Sequence, residues 1–366
     1  MSAESTRRPE RTDWTFTFCD EAVGGLAGGE ARVEVEIAGD EVVDLRRYVF
    51  VPEAWRRADE QRVATLSIGF IASNLLGGLL LVAGAVAAVV GWTRGRFRVR
   101  TGLTLAGVAF GVAAVGLAND WPILMDGLST AQPLPLQLGI GLVGALIGGG
   151  LIAIVQGLLA GHTHALVVAA PAGDPAGQPG TGRQAAALTG LALGLAFLGI
   201  LALAELVLDG AAPPWSAYFA ASSAAPWLAA ALSPIRSFLL LALGTLLVVT
   251  AVNSFTAGWT RRRAAGGAAL VLVGALLGPG TASGDLLAWT VTGILAGGLL
   301  LGAYVWVLRA HPALIVVAAG AMTVPGLLER AMEQAYGGAL AGSLAGAAAV
   351  SYLAWRWFTH LAPARG

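Results

Sequence analysis

The chain has 366 residues, 56% of them hydrophobic and 12% charged, with a mean hydropathy of +0.73. Soluble globular proteins of this size are not so apolar, so the sequence reads as a polytopic membrane protein whose first partner is the lipid bilayer. The 22 basic residues are all arginine, balance 22 acids and form no basic patch outside the loops, which leaves nucleic-acid binding without electrostatic support. Cys19 is the only cysteine, which excludes an internal disulfide and a cysteine-based zinc site. The Ala/Gly/Arg bias without lysine suggests a GC-rich bacterial genome.

Residues 1–62 hold nine arginines and fourteen acids, whereas the remaining 304 residues hold only eight acids. The first 62 residues are therefore expected to form a small soluble domain. Residues 1–13 are polar and charged and do not read as a cleavable signal peptide. Trp14, Phe16 and Phe18 alternate with polar residues, as do Val33, Val35 and Ile37, which is the pattern of half-buried strands. Gly39-Asp40 reads as a hairpin turn into a third strand, Val42 to Val51, and Pro52 is placed to begin a helix running through Glu53 to Arg62 into the first span. Three strands and a helix make a thin core, so further extracytoplasmic sequence is expected upstream.

Runs long enough to cross about 30 Å of hydrocarbon lie near residues 64–92, 101–119, 137–160, 186–208, 237–257, 264–279, 286–308, 312–328 and 338–357. The sixth is short and the eighth contains Pro325. Four prolines in Ala211–Ile235 read as an interfacial or dipping segment, and Ala170–Arg183 reads as a flexible loop. Of thirteen arginines after residue 62, eleven fall at alternate span ends, and only Arg236 and Arg330 lie on the other side. The positive-inside rule makes the arginine side cytoplasmic, the amino terminus external and the carboxyl terminus internal. Trp92, Trp259, Trp306, Trp355 and Trp357 fall at the expected inner edges, and Trp121, Trp215, Trp227 and Trp289 at the outer ones. The expected architecture is thus an all-α polytopic membrane bundle of about nine transmembrane helices over 63–360. A small N-terminal α+β extracytoplasmic segment (1–62) precedes it and a cytoplasmic tail (361–366) follows.

Gly91-Trp92-Thr93-Arg94 after the first span is echoed by Gly258-Trp259-Thr260-Arg261 after the fifth, through either a parallel duplication or two ordinary Trp/Arg membrane edges. Paired glycines four apart, such as Gly107/Gly111, Gly144/Gly148, Gly190/Gly194, Gly274/Gly278, Gly293/Gly297 and Gly342/Gly346, predict close helix packing. Glu205 is the one acid well inside an expected span, either a proton carrier or an interfacial glutamate one turn before Asp209. Asn253 is a weaker intramembrane polar candidate whose ordinary role is an interhelical hydrogen bond. His162, His164, His311 and His360 all fall at the arginine side, and His162 and His164, two apart, would point to different sides of a helix. No HExxH, phosphate-loop or GxSxG motif occurs, and neither metal nor cofactor is implied.

Arg11-Thr-Asp-Trp-Thr-Phe-Thr-Phe18, Gly29-Glu-Ala-Arg32, Ile37-Ala-Gly-Asp-Glu-Val42 and Val51-Pro-Glu-Ala-Trp55 resemble a segment of large bacterial membrane proteins of the CPBP family, CAAX-protease-like intramembrane glutamic endopeptidases. In those proteins the segment closes an extracytoplasmic domain ahead of a helical bundle. The family's paired glutamate followed by arginine is absent: no Glu-Glu pair occurs, and Glu329-Arg330 is adjacent rather than spaced. The resemblance therefore implies a relative that is either non-catalytic or of different activity, and no catalytic residue carries over; the leading expectation is a non-catalytic relative that anchors an extracytoplasmic domain in the bacterial inner membrane. An active CPBP-type endopeptidase would need a carboxylate and a histidine together in the bundle. A secondary transporter with a parallel four-helix repeat would need a polar cavity at the midplane.

Overall fold

The computed structural model describes residues 2–20, 29–129, 131–169, 183–208, 218–277, 286–333 and 336–362. The chain divides into two compact units, Met1–Gly69 and Phe70–Gly366.

The first unit holds an antiparallel sheet of β1 (Ser2–Arg7), β2 (Thr12–Cys19), β3 (Glu30–Ala38) and β4 (Glu41–Phe50) in sequential order. β1 is a correction to the sequence reading, which left the polar N-terminal residues outside the sheet. Its side chains are exposed throughout, so it lacks the alternation that marks the other strands. Strand register puts Trp14 opposite Ile37, Phe16 opposite Val35 and Phe18 opposite Val33, with Val35 continuing to Leu45. One face is thus apolar, and the rings of Trp14 and Phe16 stack on it with centroids 5.8 Å apart. On the other face Glu34 pairs with Arg46 at 2.5 Å, and the Arg46 guanidinium lies over the Tyr48 ring. The hydrogen bond to Glu34 raises the Arg46 pKa above its ordinary value.

Three residues after β4, helix α1 (Glu53–Thr93) begins behind Pro52 and runs unbroken into the second unit. That unit continues with α2 (Val99–Asn119), a short α3 (Trp121–Asp126), α4 (Leu134–Ala169), α5 (Arg183–Val207), α6 (Pro226–Phe255), α7 (Arg263–Leu277), α8 (Leu286–Ala303), α9 (Leu314–Glu333) and α10 (Ala339–Leu361). A 3-10 turn, Tyr218–Ser222, precedes α6, and a π-helical turn, Tyr304–Leu308, extends α8. Among the described residues six helices are long and apolar enough to cross a membrane: α1, α2, α4, α5, α6 and α8 with its π turn. α7 and the apolar part of α9, Leu314–Leu327, are shorter. The lipid-facing side is legible in α4, where Ile140, Val143, Ile147, Leu151 and Ile154 form an exposed stripe at helical spacing.

Glycine contacts set the helix directions. Gly102 packs on Gly157 and Gly149 on Ala113, so α2 and α4 are antiparallel; Gly274 on Gly297 and Gly267 near Leu301 do the same for α7 and α8. Gly190 against Val317 and Gly194 against Ala321 make α5 and α9 parallel, as Gly342 beside Ala230 and Gly346 beside Pro234 do for α6 and α10. With Gly91 against His162, Gly266 against Thr256 and Gly320 against Ala354, one end of the bundle gathers the starts of α2, α5, α7 and α9. The ends of α1, α4, α6, α10 and the π turn share it. Arg94, Arg96, Arg98, Arg100, Arg183, Arg261, Arg262, Arg263, Arg309 and Arg356 lie at that end, together with all four histidines.

α6 is the hub. Phe238, Leu239, Ala242, Leu243, Leu246 and Val249 are each at most 2% exposed, because neighbouring helices cover a broad face of α6, whereas Leu240 stays half exposed. Its boundaries correct the sequence reading: Pro226 to Ile235 are helical, with Pro226 at the first turn, where its missing N–H costs nothing, and Pro234 accommodated by Gly346. Asn119 of α2 supports this start, accepting the Ala225 N–H at 2.9 Å. The stretches 170–182 and 209–217 lie outside the described residues. Trp289 and Trp357 lie near the start of α8 and the end of α10, but both are buried in protein.

The two Gly-Trp-Thr-Arg copies differ locally. After the first, the Gly95 N–H bonds to the Trp92 carbonyl at 3.0 Å and the Arg96 N–H to the Gly91 carbonyl at 2.8 Å, a Schellman ending with Gly95 at φ +70°. In the second, the helix has already ended: the Gly258 N–H bonds to the Asn253 carbonyl at 2.9 Å, and Gly258 and Trp259 both have positive φ. The copies fall at different positions of their helix ends, as two ordinary membrane edges would.

Candidate functional site

The α1–α2 connection is held by shape. Gly95 supplies the left-handed turn that ends α1, and the Phe97 ring, stacked on Trp92 at 4.9 Å, sits in a notch left by Gly102 and Gly161. A Cβ on Gly102 would come within 3.0 Å of that ring. The Arg98 N–H donates to the Gly161 carbonyl at 3.0 Å, tying the connection to α4. Arg98 is also the N-cap of α2, its carbonyl accepting the Gly102 N–H at 3.0 Å, and no side chain caps that helix start. The positive end of the helix dipole and its first N–H groups therefore face the same end of the bundle as the arginines.

α2 and α10 both pack on α6 and leave a cleft of about 870 Å³ between them. Phe238 and Leu239 of α6 form its back. Arg98 and Arg100 of α2, His164 of α4, and Arg356 and His360 of α10 line it toward the arginine end. Leu105, Val108 and Leu353 line it further in, with Thr104 and Tyr352 between. His164 is anchored by Thr101, whose Oγ1 lies 2.9 Å from its Nδ1. Trp357 is 6% exposed, and its indole N–H has no acceptor among the described residues. Among the described residues no carboxylate lines the cleft, and the ion pairs all lie between Arg8 and Arg62. The cleft is cationic at one end and aliphatic at the other.

Asn253 lies at the same end of the bundle, in the last turn of α6. The fully buried Tyr304 donates its hydroxyl to Asn253 Oδ1 at 3.3 Å, with Thr256 Oγ1 3.5 Å away and the Trp259 ring edge-on at 5.2 Å. Asn253 thus joins α6 to the π turn, and it also lines a small cavity of about 180 Å³ with Arg309 and Pro312. Glu205 sits two residues before the end of α5, at the opposite end of the bundle, and Glu329 lies in the last turns of α9. The helix directions carry both backbones away from the histidines, and Glu205 is not brought to Asn253. A third cavity, about 550 Å³, lies amid α1, α5, α6, α7, α8 and α9, with an aliphatic and aromatic lining in which Thr245 supplies the hydroxyl. No cluster of three metal-ligating side chains occurs among the described residues.

The sequence reading treated the cleft arginines as topology markers and the histidines as separate interfacial groups. Gly95-Arg-Phe97 carried the missed information: a helix-ending glycine followed by an aromatic residue, two residues before a new helix. Comparison with family models, curated proteins and solved structures finds no match in any of the three.

Proposed function

We propose that the chain is a nine-pass protein of the bacterial inner membrane, with residues 1–62 outside and the carboxyl terminus in the cytoplasm. Its bundle anchors the N-terminal unit and performs no catalysis of its own, as a CPBP-like relative without the endopeptidase motif. The observation that carries the orientation is the gathering of ten arginines at one end of the bundle, which the positive-inside rule assigns to the cytoplasm. α7, α9 and α10 complete the nine passes as shorter or more polar helices sheltered by neighbours: α9 packs between α5 and α10, and α7 on α8. The non-catalytic reading draws support from the company of the histidines. His164 and His360 share a cleft with three guanidinium groups, surroundings suited to holding an anion rather than to activating water with a glutamate. The CPBP relationship itself rests on residues 11–62.

Reporter fusions test the orientation: a fusion after Arg98 is active only as a cytoplasmic reporter, and one after Leu128 only as an external one. The reverse pattern overturns the topology. A strain carrying Glu205→Gln with Glu329→Gln keeps the wild-type phenotype, and its loss would restore the endopeptidase reading.

A further inference from the structure

We propose that the cleft between α2 and α10 is a binding site for one anionic phospholipid, with the phosphate headgroup among the arginines and an acyl chain along the aliphatic groove. Charge complementarity is the first argument. Arg98, Arg100 and Arg356 converge from two helices without an ion-pair partner among the described residues, and the uncapped start of α2 adds its dipole. Guanidinium forks match phosphate oxygens in geometry as well as charge, and basic pockets between membrane helices are where such headgroups bind. Trp357, whose indole N–H is buried and has no acceptor among the described residues, stands in the cleft wall.

The groove argues for a lipid over a free phosphate ester. From Arg98 to Val108 the α2 wall runs ten residues, about 15 Å at the helical rise per residue, and turns from cationic to aliphatic along the way. That length matches one leaflet of hydrocarbon, half of roughly 30 Å. With the buried Phe238 and Leu239 at its back and the exposed Tyr352 on its wall, the cleft faces outward from the core, the side a bilayer would cover. A soluble anion would use the arginines alone, whereas an acyl chain also lies along Leu105, Val108 and Leu353. The inference rests on this end being a membrane–water boundary and not on which side of the membrane it faces, so reversed reporter fusions would leave it standing.

The test is native mass spectrometry of the full-length protein in detergent, titrated with phosphatidylglycerol or with phosphatidylcholine of the same chains. One phosphatidylglycerol is retained in preference to phosphatidylcholine. A triple variant, Arg98→Gln, Arg100→Gln and Arg356→Gln, lowers the phosphatidylglycerol affinity by roughly tenfold or more and removes the preference. The matched control at the same end but outside the cleft, Arg261→Gln, Arg262→Gln and Arg263→Gln, retains it. Circular dichroism and gel filtration confirm that both variants are folded. Equal loss in the two triple variants, or no loss in the first, overturns the proposal. Displacement of the lipid by excess glycerol 3-phosphate would overturn the lipid assignment in favour of a soluble phosphate ester.

Discussion

The sheet of the first unit and the bundle of the second expose large apolar side chains to the same degree, yet the exposure has different causes. Val42 and Leu45 on the sheet are 63% and 61% exposed, and Ile140 and Ile147 on α4 are 67% and 65%. On the sheet these residues share strands with Asp44, Arg46 and Arg47, and the most buried side chain is the charged Glu34 under Arg46. On α4 they form an unbroken stripe along a helix without Asp, Glu, Lys or Arg, and behind it lies a hydrophobic core that includes Phe238 and Leu243. Apolar exposure on the sheet is interleaved with charge, the pattern of a surface facing water, whereas on the bundle it is continuous, the pattern of a surface facing lipid.

The comparison breaks most sharply at helix contacts. A side chain on Gly194 would meet the Ala318 carbonyl and approach Ala321 Cβ to 2.7 Å, whereas nothing lies within 4 Å of a Cβ on Gly144. Gly194→Leu is therefore expected to cost about 3 kcal/mol or more through overpacking, and Gly144→Leu close to nothing, in thermal unfolding of the protein in detergent. Equal sensitivity would mean that α4 packs against something beyond this chain. A second contrast tests the solvent. Ile147→Asp places a carboxylate near the middle of α4 and should cost about 3 kcal/mol in lipid nanodiscs, while Leu45→Asp, equally exposed on the sheet, should stay within about 0.5 kcal/mol. Comparable losses would place both residues in water.

Smaller effects refine each unit. Arg46→Ala leaves Glu34 without its guanidinium and is expected to destabilise the sheet only slightly, as exposed ion pairs do, with the loss diminishing at high salt. A salt-independent loss would point instead to packing of the Arg46 stem on Tyr48. Tyr304→Phe removes the hydroxyl donated to Asn253 and should cost about 0.6 kcal/mol, the mean for interhelical hydrogen bonds in membranes. A change of several kcal/mol there would mean that Asn253 does more than join α6 to the π turn.

Much of the fold was legible because its solvent is simple. Apolar runs and arginine-bearing ends marked where helices stand, and period-two alternation marked β2, β3 and β4. β1 was missed because edge pairing rests on backbone hydrogen bonds, which an exposed polar segment makes as readily as an apolar one. The start of α6 was missed because Pro226 and Pro234 resemble breakers until Asn119 and Gly346 are seen to accommodate them. Of the small-residue pairs, Gly190/Gly194 and Gly342/Gly346 are helix contacts whereas Gly107/Gly111 and Gly144/Gly148 face open space, a distinction spacing cannot carry. Asn253 could be flagged from sequence, but its partner Tyr304 stands 51 residues away on another helix.

The sequence by itself determined that this is a membrane-embedded helical bundle behind a small sheet, and which helix ends carry positive charge. Both follow from transfer free energies that act residue by residue, so a linear pattern suffices to express them. Only the tertiary structure decided that α6 is the core and that α2 and α10 stand apart over it. It alone showed that arginines separated by more than 250 residues, Arg98 and Arg356, line one cleft with His164 and His360. Such convergence depends on which glycine faces which helix, a matter of shape between distant segments that no local pattern encodes.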